Sequence, residues 1–303
     1  MKHFIILSLF LLYFTFSFAQ GFSKSYQDTA NSLAATLYGN FSDEEKIAAN
    51  LALENISQEF LSKDSSLNFT YDSISFLRHL TSEDGSFALL TWAVPLENDQ
   101  LLYSGFVQKL NTGRRSQSRV DTIFLLKAAD KSPDKNASYP TDQWPGAVYD
   151  RILPKAKNAD YYTLLAWVGK PQGLAGKRIE TLTFDTAGDP MFGVPAIIMK
   201  EGSVQNRLDF EYTSEMPFHL AYELQRLPGE KRKTGWMIVF NRLGGNTPGM
   251  GRMFRGPVPS FDTYDALIPI GSQWVLFEDI DPRANTKDLD DSPPQEIGLP
   301  RVK

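Results

Sequence analysis

The chain has 303 residues, with 31 Lys plus Arg against 36 Asp plus Glu and a 42% share of hydrophobic residues. At 22% charged it is neither a disordered polyelectrolyte nor a collagen-like repeat, and it is long enough to bury a large core. Cysteine is absent, which excludes disulfides, thiolate metal sites, iron–sulfur clusters and a Cys nucleophile.

Residues 1–19 open with Lys2 and His3, run apolar over 4–18, and place the small residues Ser17 and Ala19 three and one before Gln20. That is the pattern of a secretory signal peptide cleaved after Ala19. The apolar run is shorter than the roughly 20 residues a membrane-spanning helix needs. No later stretch is apolar enough to span, so the mature chain is expected to be secreted or periplasmic, without a transmembrane segment. Past residue 19 the balance is 30 basic against 36 acidic residues, a net −6, which argues against nucleic acid as a partner.

Tyr26, Ala30, Leu33 and Leu37 recur at helical spacing, and Gly39 stops that helix. Ser42 with Glu45 forms a capping box ahead of a second stripe, Ala49, Ala52, Leu53, Ile56 and Phe60, which carries a second helix to about Lys63. Beyond Asp64 the helical period gives way to aromatic and β-branched runs. Strands are expected over 87–94, 101–110, 122–126, 149–153, 161–168, 177–184, 196–199, 206–212, 219–224, 235–241 and 274–278.

The intervals between these runs leave no room for helical crossovers, so the sheet should be mainly antiparallel. The expected fold is α+β: two N-terminal helices, then a large antiparallel region arranged as a meander or open barrel. The expected organisation is a signal peptide (1–19), a helical segment (20–64), a β-rich region (65–281) and a disordered tail (282–303). Residues 130–146, rich in Lys, Asp, Ser, Pro and Asn, read as a loop and a possible internal boundary.

Several of these runs carry a resemblance. Trp144, Gly146, Ala147, Val148 and Tyr149, the stretch 161–167, Phe184 with Asp185, and Phe192, Gly193 and Pro195 resemble a family of uncharacterised secreted proteins from Bacteroidetes. Phe210, Glu211 and Tyr212, and the ending Trp274, Glu278 and Asp279, fit the same pattern, so the resemblance spans roughly 66–285. It implies an exported scaffold and transfers no reaction, cofactor or catalytic residue.

The familiar chemical motifs are missing from the sequence. No Gly-x-Ser-x-Gly elbow, phosphate loop or dinucleotide fingerprint occurs, so no cofactor is expected. Past residue 19 there are two histidines, His79 and His219. In 207–212 and 219–224 apolar and polar residues alternate. Pairing the two as a hairpin with matched apolar faces sets Phe210 against Tyr222 and Asp209 against Glu223, with His219 on the same face. Opposed carboxylates repel unless a cation, metal or shared proton intervenes, which makes Asp209, Glu223 and His219 candidates for acid/base catalysis.

Glu278, Asp279 and Asp281 after Trp274 are candidates for a Ca²⁺ site. The stretch 244–259 holds five Gly, three Pro, two Met and one Phe in sixteen residues. A loop of that length in a compact region points to recognition, with Met250, Arg252, Met253, Phe254 and Arg255 as contact candidates. The functional expectation is a non-catalytic exported protein that binds a glycan, an envelope component or a protein. The alternative is a carboxylate-type hydrolase acting on a glycan through Asp209 and Glu223.

Overall fold

The structure, a computed structural model, describes residues 23–111, 118–129, 132–230, 233–244, 254 and 256–281. Two helices lead: α1 over 23–37 and α2 over Asp43–Leu61. Ser42 caps α2 as its residue type dictates: its hydroxyl accepts the Glu45 amide while the Glu45 carboxylate accepts the Ser42 amide at 2.9 Å. Three acidic residues in the first turn complement the positive end of the helix dipole.

Strands follow to the end of the described chain. They are β1 (Arg78–Thr81), β2 (Phe87–Pro95), β3 (Leu101–Asn111), β4 (Arg119–Lys127), β5 (Tyr139–Pro140), β6 (Val148–Leu153), β7 (Tyr162–Gly169) and β8 (Leu174–Phe184). Next come β9 (Pro190–Phe192), β10 (Ile197–Ile198), β11 (Val204–Gln205), β12 (Arg207–Thr213), β13 (Leu220–Arg226), β14 (Thr234–Gly244), β15 (Val258–Ile270) and β16 (Gln273–Ile280). The first sheet has the order β1-β2-β3-β4. The middle sheet has the order β5-β9-β8-β7-β6, and the third β11-β10-β16-β15-β14-β13. Strand β8 is long enough to share one edge between two partners, β9 at residues 182–184 and β12 at 174–180. Every strand pairing is antiparallel except that of β10 with β16.

Side-chain alternation stacks these elements in layers. Odd and even positions of β2 face opposite ways, so Leu90, Trp92 and Val94 meet Tyr26, Ala30, Leu37, Leu53 and Phe60 of the helices. Phe87 and Leu89 instead meet Leu164, Ala166 and Leu182 of the middle sheet. The other face of the middle sheet, with Leu165, Ile179, Leu208 and Phe210, packs on Ile238, Phe240, Leu267 and Trp274 of the third sheet. The order of layers is therefore helices, first sheet, middle sheet, third sheet. Because the middle sheet has both faces covered, its strands read as nearly continuous apolar runs, as at Leu164, Leu165 and Ala166.

The expected architecture of helices followed by antiparallel sheet is what the chain adopts. Strand β15 was not anticipated, because Pro259, Pro269, Asp262 and Asp265 break its apolar pattern. Its prolines fall at the strand's start and near the tight turn into β16, where a missing N–H costs least. Of residues 130–146, expected as a loop, the described part, 132–146, supplies β5 and the fully buried Trp144. The expected signal peptide and C-terminal tail lie outside the described residues. Among the described residues no helix is long and apolar enough to cross a membrane.

One buried amide ties the helical layer to the first sheet. Asn50 of α2 donates to the Ser104 hydroxyl at 2.8 Å and to Glu54 at 2.9 Å, and accepts the indole N–H of Trp92 at 2.7 Å. Trp92 is fully buried. Asn50→Ala orphans its indole N–H, and a loss of about 2 kcal/mol is expected in urea denaturation.

Candidate functional site

The largest constellation of charged groups sits inside the middle sheet. Cross-strand pairing sets Arg207 beside Glu180 and Asp209 beside Arg178. Arg207 and Glu180 are both fully buried, and Arg207 Nε donates to Glu180 Oε1 at 2.8 Å. The second carboxylate oxygen accepts the Tyr149 hydroxyl at 2.6 Å, and that hydroxyl in turn accepts the Trp144 indole N–H at 2.9 Å. Burial first, then the Glu180 charge, push the Tyr149 phenol well above its ordinary range, so it stays a donor. Arg207 also donates to the carbonyls of Asp134, Ala137 and Phe192, and its guanidinium stacks over the Tyr139 ring.

Next along the same face, Arg178 is 2% exposed and donates to Asp209 at 2.6 Å and to the Gly146 carbonyl at 3.2 Å. The Arg178 pKa stays raised, because Glu180 and Asp209 outweigh the cost of burial. Two glycines make room for this network. Gly193 has φ +95°, and a Cβ there would sit 2.5 Å from Arg207 Nη2; Gly146 has φ +68°, and its Cβ would meet the Tyr103 ring at 2.8 Å. Trp144, Gly146, Tyr149, Phe192 and Gly193 belong to the motif that carried the family resemblance. Their work here is to line, brace or give room to buried charge. The buried Arg207–Glu180 pair is committed to internal partners.

The expected hairpin of 207–212 with 219–224 does not form. β12 pairs with β8, and β13 pairs with β14, which places Glu223 opposite Met237. The apolar faces of the two strands do meet, but across the interface between the middle and third sheets, where Phe210 and Tyr222 contribute to one core. Asp209 therefore points toward the first sheet and Glu223 lies on the far face of the third. The opposed carboxylates are not brought together, so the repulsion that singled them out is absent.

His219 and Glu223 are brought together, with Nε2 and Oε1 3.6 Å apart and the Tyr264 ring edge-on to the imidazole. Burial alone would raise the Glu223 carboxyl, but the neighbouring His219 and the hydrogen bond from Gln225 take it below its ordinary value. Of the acidic residues after Trp274, Glu278 pairs with Lys200, and the Asp279 amide donates to Asp265 at 3.0 Å. Among the described residues no three His, Asp or Glu cluster closely enough to hold a metal ion. Met250, Arg252, Met253 and Arg255 lie outside the described residues; Phe254, which is described, is partly buried.

Sequence reasoning passed over the aromatic edge of the third sheet. β13 is an edge strand, and Tyr222 on it stacks on Trp236 of β14 with centroids 5.0 Å apart and planes inclined at 27°. Trp236 is 49% exposed, whereas Trp92, Trp144 and Trp274 are buried. Arg151, on the edge strand β6 of the middle sheet, donates to the Tyr222 carbonyl at 3.2 Å and lies 5.6 Å over its ring. Trp274 braces Tyr222 edge-on from the core side and is itself held by a 2.7 Å bond to the Thr163 hydroxyl. The sequence signal was an aromatic at each of 222 and 236, on strands that pair with each other.

No protein-family model, no curated protein and no solved structure matches the chain.

Removing the Glu180 charge leaves a buried guanidinium uncompensated. Glu180→Gln is expected to cost about 3–5 kcal/mol in urea denaturation. Asp209→Asn should also destabilise, by less, because Asp209 neutralises the buried Arg178 and is itself partly solvated. Relief of repulsion, the consequence of a hairpin, would have had the opposite sign.

Proposed function

We propose that the chain is an exported, non-catalytic binding protein that presents a rigid β-rich scaffold and engages a glycan or another envelope component at the Tyr222–Trp236 edge of its third sheet. The observation that carries this reading is the half-exposed Trp236, held in a stack on Tyr222 where two sheet edges meet. An indole fixed in this way loses little side-chain entropy on binding and offers a flat apolar face to the C–H surface of a sugar ring. Arg151, over the Tyr222 ring, supplies a polar contact beside it. Export is supported by the apolar leader ending at Ala19 and by the resemblance to secreted proteins.

The acidic groups that suggested hydrolysis are better explained by the partners they already have. Asp209 neutralises Arg178, and Glu223 accepts a hydrogen bond from Gln225 beside His219. Neither faces the other across a space that could admit a glycosidic bond.

The test is binding of residues 20–303 to immobilised envelope glycans, read with Trp236→Ala and Tyr222→Ala variants. A loss of about tenfold or more in affinity is expected for Trp236→Ala, with the urea midpoint nearly unchanged because the side chain is half exposed. Undiminished binding by both variants would remove the edge from consideration.

A further inference from the structure

A second concave feature lies on the opposite side of the layered stack. Between the turn Asp64–Asn68 and the helix-facing side of the first sheet opens a cleft of about 640 Å³, within the size range of small-molecule sites. His79 and Thr81 of β1 and Leu110 of β3 line it on the sheet side, Asp64, Ser65, Leu67 and Asn68 on the turn, and Ser118 and Arg119 at the start of β4.

The walls are set from beneath. Asp64 Oδ1 accepts the Val120 amide at 2.9 Å, which ties the turn to β4. The fully buried Ser66, between the lining residues Ser65 and Leu67, accepts a 2.9 Å bond from Gln108. Tyr71 stacks on the His79 ring with centroids 4.2 Å apart and planes inclined at 14°. The Tyr71 hydroxyl and Gln108 Oε1, on the residues that touch His79 and Ser66, are buried polar atoms without a hydrogen-bond partner among the described residues.

The chemistry of the lining selects a class of ligand. Burial pushes the His79 imidazole from its ordinary 6.5 down to about 4, so near neutral pH it is uncharged, with one nitrogen donating and the other accepting. Thr81, Ser65, Ser118 and Asn68 each both donate and accept. Asp64 and Arg119 add one charge of each sign without an ion pair between them among the described residues. With one charge of each sign the lining carries no net charge, so it gives neither an anion nor a cation an overall preference. Groups that each donate and accept match vicinal hydroxyls, which do the same.

We propose that this cleft binds an uncharged, hydroxyl-rich molecule, a mono- or disaccharide or the free end of a neutral glycan, held by His79, Asp64, Asn68 and Arg119. The site is separate from the Tyr222–Trp236 edge and does not depend on it.

Saturation-transfer NMR on residues 20–303 with maltose, cellobiose and lactose, each at roughly 10 mM to reach weak affinities, tests the proposal. At least one disaccharide is expected to receive transfer. His79→Phe preserves a ring on Tyr71 but removes both nitrogens, and is expected to weaken binding about tenfold or more. Arg119→Met, at an exposed position, should weaken it with the fold intact by circular dichroism, while Trp236→Ala should leave it unchanged. Competition by the end of a longer neutral glucan, but not by internal segments of a cyclic one, assigns the source as a chain end; competition by neither leaves the free sugar as the ligand. Absence of transfer from all three sugars would overturn the proposal. So would transfer that survives both cleft variants and disappears in Trp236→Ala, or binding of the zwitterion glycylglycine in place of the sugars.

Discussion

Arg207 and Glu180 meet with no solvent around them, in the sheet that has another sheet packed on each face. Taking two charges out of water costs several kcal/mol per ion, and the attraction between them recovers that only when every remaining donor and acceptor is also met. Here the condition is fulfilled. Glu180 takes hydrogen bonds from Arg207 and Tyr149, and Arg207 spends its remaining donors on three carbonyls from the 134–137 segment and β9. The pair adds little net stability over a hydrophobic substitute. Its consequence is register: sliding β12 by one residue along β8 would turn Arg207 into the apolar core and Leu208 onto the charged face.

That constraint organises what surrounds it. The segment before β6 must bring Trp144 and the 134–137 carbonyls to the pair, which is why a polar, proline-containing stretch is packed against the sheet. Gly146 and Gly193 must lack a Cβ because the network and the Tyr103 ring occupy the space. The middle sheet becomes a fixed platform. Its edge strand β6 carries Arg151, which reaches the carbonyl of Tyr222 on the edge strand of the third sheet. Two edges that would otherwise present unpaired backbone are clasped to one another, and the aromatic pair Tyr222–Trp236 is held where they meet.

Much of the scaffold was legible in the sequence because local chemistry is sufficient for it. Ser42 with Glu45 marked the start of α2, since a capping box is satisfied within four residues. The stripe from Tyr26 to Leu37 and the one from Ala49 to Phe60 marked helix faces that a sheet would have to cover. Runs such as 161–168 marked strands. β15 was not legible, because tertiary pairing to β14 and β16 on both sides outweighs the poor propensity of its prolines and aspartates. The candidate site was less legible still. Asp209 and Glu223 were singled out by a register that does not occur. Trp236 looked like any strand tryptophan, because exposure is a property of the layer order and leaves no mark on residue type.

What the sequence determined by itself was the inventory and its periodicity: two amphipathic helices, one of them capped, eleven strand runs, no thiol, two imidazoles beyond residue 19, and the alternation that puts Leu208 and Phe210 on one side of β12 and Arg207 and Asp209 on the other. What only the tertiary structure decided was which face meets which. An apolar strand face can be buried against a hydrogen-bonded neighbour's continuation of the same face or against a different sheet stacked above it, and the hydrophobic effect, being non-directional, scores both alike. β12 and β13 took the second course. Their apolar faces meet across layers, their acidic residues point apart, and it is the distant strand β8, bringing Glu180 and Arg178, that decided where Arg207 and Asp209 find their partners.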